Sequence, residues 1–343
     1  MAVQFGVFDW VDVHRGRSIA DAYDDRIAIA RRADAGGFTR FHIAEHHGAT
    51  LGMAASPGLF AAALARETER LRLVPTTFIV PLYDPLRLVQ EIAMIDQLSH
   101  GRLEIGIGKG SSPHEAAMYG FTREEMVARY DAFVPAILDA LQTGVFVPPG
   151  GGEPVELTIT PTGPLPVWYP TSNPESVRVT AEKGQNTIFG FAFKSPAVPV
   201  IREHRDLFAE ISAAVRPGRP APLFGVLRHV VVAETDARAF EIAEEAFAAH
   251  YDNFTWVWRT HGTPQPPQPE LRTLVDEHLM FIGSPASVAD QIGRLVDATG
   301  VDYLAGAFAW GTLSREDALR SIDLFDTEVI PAVRARTAGG SDA

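Results

Sequence analysis

Phe38-Thr39-Arg40-Phe41-His42-Ile43-Ala44-Glu45-His46-His47 is the stretch on which the architecture turns. Apolar and polar residues alternate from Phe38 to Ala44, and Gly36-Gly37 just before them ends a helical pattern. That combination predicts a strand, with Glu45-His46-His47 at its C-terminal end. The same residues spell H-x-x-E-H, a zinc pattern that works only when both histidines share a helix face. On a strand, His42 and His46 share a face only if the strand runs through both, about 13 Å apart. The strand reading therefore argues against a metal site.

Outward from this strand, short apolar runs and helical patterns take turns. Residues 3–9 read as a strand and 18–35 as a helix, whose Ile19, Ala22, Tyr23, Ile27, Ala30 and Ala33 are spaced by three and four. A helix at 57–70 follows the 38–44 strand. Then come a strand at 71–80, a proline-opened helix at 85–99, a strand at 102–108 and a helix at 122–143. Further strands are expected at 166–171, 186–190, 224–233 and 301–308, with helices at 174–183, 195–215, 235–250 and 314–330. A short extra strand is expected at 155–159, after the Gly/Pro-rich loop at 148–152, and Ser314-Arg315-Glu316-Asp317 reads as a capping-box variant. Strands that alternate with helices imply a parallel sheet, and eight repeats imply closure into a (β/α)8 TIM barrel of the α/β class. Residues 1–334 read as one domain and 335–343 as a flexible tail. The polar segment 262–269 carries four prolines and interrupts the rhythm. It reads as part of a lid at about 255–280, or as a surface excursion.

Composition narrows the function. The 343 residues carry a net charge of −13, which opposes nucleic-acid or anionic-membrane binding through a broad basic face. Cysteine is absent, which excludes disulfides, thiolate nucleophiles and thiolate metal sites. Met1-Ala2-Val3-Gln4-Phe5 does not start a secretory leader, and no apolar run approaches membrane-span length. A soluble cytoplasmic protein is the expectation.

In a (β/α)8 barrel the site lies at the C-terminal ends of the strands. That rule selects Phe8-Asp9-Trp10, Glu45-His46-His47, Thr76-Thr77-Phe78, Gly108-Lys109-Gly110-Ser111, Thr171-Ser172-Asn173 and Gly190-Phe191. Aromatic rings, a histidine pair, a lysine and small hydroxyls at one mouth suit a flat aromatic ligand that carries a phosphate. His46 and His47 are candidate acids or bases. Gly106-Ile107-Gly108-Lys109-Gly110-Ser111 reads as an anion cradle or as a tight turn. Ser172-Asn173-Pro174-Glu175-Ser176 opens a helix, either as a phosphate site or as ordinary capping. Phe8, Trp10, Phe191 and Trp310 read as pocket walls or as core.

Several separated blocks resemble the bacterial luciferase-like monooxygenases, a flavin-dependent barrel family. They are Ala44-Glu45-His46-His47, Ile79-Val80-Pro81-Leu82-Tyr83-Asp84-Pro85-Leu86-Arg87, Ile95-Asp96-Gln97-Leu98-Ser99-His100-Gly101-Arg102-Leu103, Ile282-Gly283-Ser284-Pro285 and Asp297-Ala298-Thr299-Gly300-Val301. The resemblance covers roughly residues 3–334. It implies binding of reduced FMN at the strand ends, with dioxygen forming a C4a-peroxyflavin that oxygenates a small aldehyde, ketone or sulfur compound. Reduced flavin would come from a separate NAD(P)H:flavin reductase. By position, His46 matches the family's catalytic histidine and His47 its neighbour. Thr76 and Thr77 match a pair joined by a cis peptide under the ring. Lys109, with Gly110 beside it, matches a phosphate-binding position usually held by arginine. Ser172, Asn173 and Ser176 match a phosphate cradle, and Phe191 an aromatic wall. Lysine at 109 keeps the charge but loses the guanidinium fork. Gly108 stands where light-emitting members carry cysteine, so light is not expected. The family commonly pairs subunits through helices beside strands two and three, and the apolar residues of 85–98 fill more than one stripe, which fits a homodimer or a deeply covered barrel helix. The same barrel also serves F420-dependent hydride transfer, and a non-catalytic flavin-binding protein is the third reading.

Overall fold

The computed structural model describes residues 3–14, 16–191 and 195–339, without the side chains of 191, 338 and 339. Strand β1 (Gln4–Asp9) leads to α1 (Ile19–Ala35), β2 (Arg40–Ile43), α2 (Pro57–Glu67), β3 (Arg72–Pro75), β4 (Phe78–Ile79), α3 (Pro85–Leu98) and β5 (Ile105–Gly108). The chain continues through α4 (Pro113–Met118), α5 (Arg123–Thr143), the hairpin β6 (Val145–Phe146) and β7 (Val155–Glu156), β8 (Val167–Trp168), α6 (Pro174–Glu182) and β9 (Thr187–Phe191). It ends with α7 (Val198–Val215), β10 (Phe224–Val232), α8 (Asp236–Thr260), α9 (Leu271–Asp276), β11 (Met280–Gly283), α10 (Pro285–Thr299), β12 (Tyr303–Ala307), α11 (Arg315–Leu324) and α12 (Ile330–Gly339).

The parallel pairings return to their starting point. β1 pairs with β2, β2 with β3, and Leu73 bridges to Leu103 ahead of β5. β4 pairs with β5 and β5 with β8, and bridges at Trp168–Asn186 and Thr171–Phe189 lead to β9. β9 pairs with β10, β10 with β12, and β12 with β1. With β3 and β4 as halves of one strand, the ring has eight members, as the alternation predicts.

Period-two alternation divides the core. Phe5, Val7, Phe41, Ile43, Phe224, Val226 and Leu304 face the helical shell, whereas Phe8, Val74, Trp168, Leu227, Tyr303 and Ala305 fill the barrel interior. Gly6 and Gly225 leave room for the Tyr303 ring, since a Cβ at Gly6 would lie 1.8 Å from its hydroxyl.

The structure corrects three expectations. The strand expected at 71–80 breaks after Pro75, resumes as β4 and ends in a 3₁₀ turn at Val80–Leu82. The helix expected at 235–250 runs on to Thr260, because its alanine-rich inner face stays buried beyond His250 through Tyr251, Asn253 and Thr255. The segment 255–280 is therefore the end of α8, an irregular stretch at 261–270 and α9. A ninth parallel strand, β11, was not expected; it pairs with the last residues of β10, His229 to Val232, outside the ring. The expected tail is helical up to Gly339, and 340–343 lie outside the described residues. Among the described residues no helix is long and apolar enough to cross a membrane.

Candidate active site

The loop after β2 is fixed by a buried carboxylate. Glu45 Oε2 accepts hydrogen bonds from Ile79 N and the Tyr83 hydroxyl, both at 2.9 Å, and Oε1 pairs with His47 Nε2 at 2.9 Å. Burial pushes the Glu45 carboxyl up, against the pull of His47 and Ile79. The other His47 nitrogen, Nδ1, meets the Tyr119 hydroxyl at 2.9 Å. Both His47 ring nitrogens are thus engaged, and its side chain points away from the cavity at the mouth. His46 is placed differently. Its Nδ1 meets Glu115 Oε1 at 3.0 Å, its side chain remains 30% exposed, and it lines that cavity. Glu115 also accepts from His47 N, and Ser112 caps the helix that carries it. His46 Nε2 is left for a ligand.

His42 belongs to the barrel interior. It is fully buried, with Nδ1 on Thr76 Oγ1 and Nε2 on the Tyr303 hydroxyl, each at 2.8 Å. Burial holds its pKa well below the usual histidine range, with the Arg40 charge adding to the effect. His42 and His46 therefore do not act as a pair, and among the described residues no three His, Asp or Glu side chains form a metal cluster.

The mouth opens into a cavity of about 880 Å³. The Thr76–Thr77 peptide on its wall is cis, as the resemblance implies. Phe8, Trp10, Leu51 and Phe254 give it an apolar end. Lys109 and Arg123 line it too, as do the start of α6 and, at the other end of that helix, Lys183. At the helix start Asn173 Oδ1 accepts from Ser176 N at 3.0 Å, while Ser176 Oγ accepts from Ser172 N and Asn173 N at 3.3 Å. Capping and a site at a helix N-terminus therefore coincide. Lys109 Nζ lies 4.0 Å from Asp131 and 5.0 Å from the centre of the Tyr130 ring.

The glycines before Lys109 serve packing rather than an anion. A Cβ at Gly106 would lie 2.3 Å from the Pro75 carbonyl oxygen, and one at Gly108 2.2 Å from Thr77 Oγ1. Gly110 has φ +77°, a conformation that favours glycine. Trp310, read as pocket wall or as core, is core: it is buried against His229 and His250. The Phe191 side chain lies outside the described residues.

Sequence reasoning missed Glu115, Arg123, Lys183, His250 and Phe254, all on the cavity wall. His250 joins a buried centre beneath it. Asp12 Oδ2 accepts from Gly311 N at 2.9 Å and from His250 Nδ1 at 3.2 Å, and Oδ1 from Arg26 Nη2 at 3.2 Å. Burial pushes the Asp12 carboxyl up, but His250 and Arg26 outweigh it and hold it below the usual range. This centre fastens α8 to the loop after β1.

The chain is 31% identical to an uncharacterized protein of Sinorhizobium fredii, over 96% of this chain and 97% of that one. It is 29% identical to the oxygenase component of a flavin-dependent trigonelline monooxygenase of Acinetobacter baylyi, over 68% of this chain and 65% of that protein. Its fold matches the oxygenating constituent of 3,6-diketocamphane monooxygenase of Pseudomonas putida, solved with FMN, with a TM-score of 0.81 at 20% identity, covering 97% of this chain and 99% of that one. The sequence profile of the luciferase-like monooxygenases matches residues 3–303, so the chain belongs to that family of flavin-dependent oxidoreductases.

Proposed function

We propose that this chain is the oxygenase component of a two-component system. It takes reduced FMN from a separate NAD(P)H:flavin reductase, with dioxygen, and oxygenates a small organic molecule of the aldehyde, ketone or sulfur-compound class. The observation that carries the reading is one cavity with the His46 imidazole, an aromatic end, a helix start, Lys109 and Arg123 on its walls. Its volume of about 880 Å³ lies at the upper end of the range for ligand pockets, which leaves space for flavin and substrate together. A planar ring fits beside Trp10 and the Thr76–Thr77 wall, and a phosphate fits at Ser172, Asn173 and Ser176, with Lys109 and Arg123 on the same cavity wall. These residues fit FMN.

Bound reduced flavin would supply the electron pair that reduces dioxygen. The chain's own residues do the rest. The helix start, Lys109 and Arg123 anchor the phosphate end and fix the ring's position. Phe8, Trp10, Leu51 and Phe254 exclude water from the apolar end. The Glu115 carboxylate accepts a hydrogen bond from His46 Nδ1–H, which leaves Nε2 as the atom that accepts or returns a proton at the reacting centre. His47 acts as a positioning residue: through Glu45 and Tyr119 it fixes the loop that presents His46. Residues 255–280 are the element that covers the mouth, and residues 1–334 act as one domain. A homodimer through α2 and α3 completes the proposal, because Leu59, Met94 and Leu98 are exposed there.

Anaerobic titration with reduced FMN, and separately with F420, tests the cofactor. Oxygenated buffer and a panel of small ketones, aldehydes and thioethers then test the reaction. Tight binding of reduced FMN and an oxygenated product that His46→Ala abolishes are expected. Binding of F420 in place of FMN would move the reading to hydride transfer. Unchanged turnover in His46→Ala would remove His46 from the chemistry.

A further inference from the structure

The end of the barrel opposite the mouth carries a second cavity, of about 210 Å³. It lies between the C-terminal half of α7 and the turn that leads into β10, with Asp302 beside it ahead of β12. Three arginines line it: Arg205, Arg216 and Arg219. Arg205 is committed to Asp302, at 3.6 Å, and to the Gly300 carbonyl, at 2.8 Å. Arg216 donates to the Gly184 carbonyl at 2.9 Å. Among the described residues neither Arg216 nor Arg219 has a carboxylate within ion-pair distance. The wall also carries Ser212, only 2% exposed, whose Oγ has no hydrogen-bond partner among the described residues.

Half-buried Arg216 and exposed Arg219, both without a carboxylate partner, meet an unused buried hydroxyl here in a chain of net charge −13. A buried polar group without a partner costs stability, so its persistence beside a cavity points to a ligand. Guanidinium forks match tetrahedral oxyanions, and a hydroxyl adds a neutral donor. The volume lies below the usual range for drug-sized ligands, so the cavity does not enclose a mononucleotide. We propose that it binds a phosphate group, either inorganic phosphate or a small phosphomonoester. Arg216 and Arg205 already hold the carbonyls at the ends of α6 and α10. An anion between them draws α7 against both helices, so the site stabilises the barrel's closed end and acts apart from the mouth.

The test is calorimetric titration of the full chain with inorganic phosphate, and separately with glycerol phosphate, at ionic strength held constant with chloride. Lys109→Gln and Arg219→Gln separate the two ends of the barrel. The proposal expects phosphate binding that survives Lys109→Gln and weakens about tenfold or more in Arg219→Gln, the loss of one charge-assisted hydrogen bond. Ser212→Ala weakens it several-fold. The tighter of the two ligands identifies the natural source. Thermal stability rises with phosphate in the wild type and not in Arg219→Gln. The proposal is overturned if Arg219→Gln and Ser212→Ala bind phosphate like the wild type, if Lys109→Gln removes all binding, or if chloride alone gives the same thermal shift.

Discussion

Lys109→Gln separates recognition of the phosphate from recognition of the ring. Lys109 keeps 37% of its side chain exposed, and its carboxylate neighbour, Asp131 at 4.0 Å, is 64% exposed. At that separation two unit charges interact by about 4 kcal/mol at an effective dielectric of about 20, and by about 1 kcal/mol in water. Exposure places Lys109 toward the lower limit, and Asp131 takes part of its field. A net contribution of roughly 1–2 kcal/mol to a bound phosphate follows, or about 5–30-fold in Kd. Riboflavin has the same ring without the phosphate, so its affinity stays within about twofold. Quenching of flavin fluorescence measures both ligands on both proteins. Added salt weakens FMN binding more in the wild type than in Lys109→Gln, because the lost interaction is a screened one. Lys109→Arg keeps the affinity for FMN. Equal losses for riboflavin and FMN would show that Lys109 supports the pocket wall through Tyr130 rather than the phosphate. No loss for either would place the phosphate elsewhere.

Two further predictions concern the wall of the same cavity and one the barrel interior. Glu115→Gln presents an amide donor to His46 Nδ1, reverses the tautomer and lowers kcat by about 10²-fold or more, with FMN affinity unchanged. His46→Ala gives a similar loss, and the double variant adds little to either; additive losses would show independent roles. His42→Gln tests pH dependence. Burial holds the folded pKa of His42 well below the reference of 6.5, so its neutral form favours folding above that value and the advantage is lost as pH falls. Between about pH 7.5 and 5.5 the wild type loses stability relative to the variant in urea denaturation. Carboxyls raised by burial, such as Glu45 and Asp302, titrate in the opposite sense but are common to both proteins. Parallel pH profiles would refute this account. Gly108→Ala puts a Cβ against Thr77 Oγ1, costs about 1–3 kcal/mol by urea denaturation and weakens FMN binding; an unchanged midpoint would mean that Thr77 moves aside freely.

The barrel was legible because local patterns determine it. Alternation at Phe38–Ala44, helical spacing at 18–35 and the same pairing of signals along the chain required only neighbours in sequence. Breaks in those patterns were harder. The apolar run 71–80 looked continuous, but at Thr76 the backbone leaves the ladder and Thr76 Oγ1 turns inward to His42, 34 residues away. Likewise α8 outran its expected end because Tyr251, Asn253 and Thr255 stay buried past His250 and Asn253 Nδ2 reaches Asp12 Oδ2, 241 residues away. β11 is four residues long, too short for alternation to show, and it forms because β10 extends beyond its other neighbours.

Glu45-His46-His47 shows the same limit within three residues. Their position at a strand's C-terminal end identified a site, but three consecutive polar side chains leave the chain in different directions. Glu45 turns inward because Ile79 and Tyr83 supply donors there, 34 and 38 residues on. His47 turns after it because Glu45 and Tyr119 engage both of its nitrogens. Of the two histidines only His46 lines the cavity, and the role proposed for it rests on a carboxylate 69 residues later that faces its Nδ1. Sequence order therefore places candidate groups at the mouth, whereas their roles depend on partners that the closed barrel brings beside them. Glu115 is the partner on which the assignment of His46 as the acid or base rests.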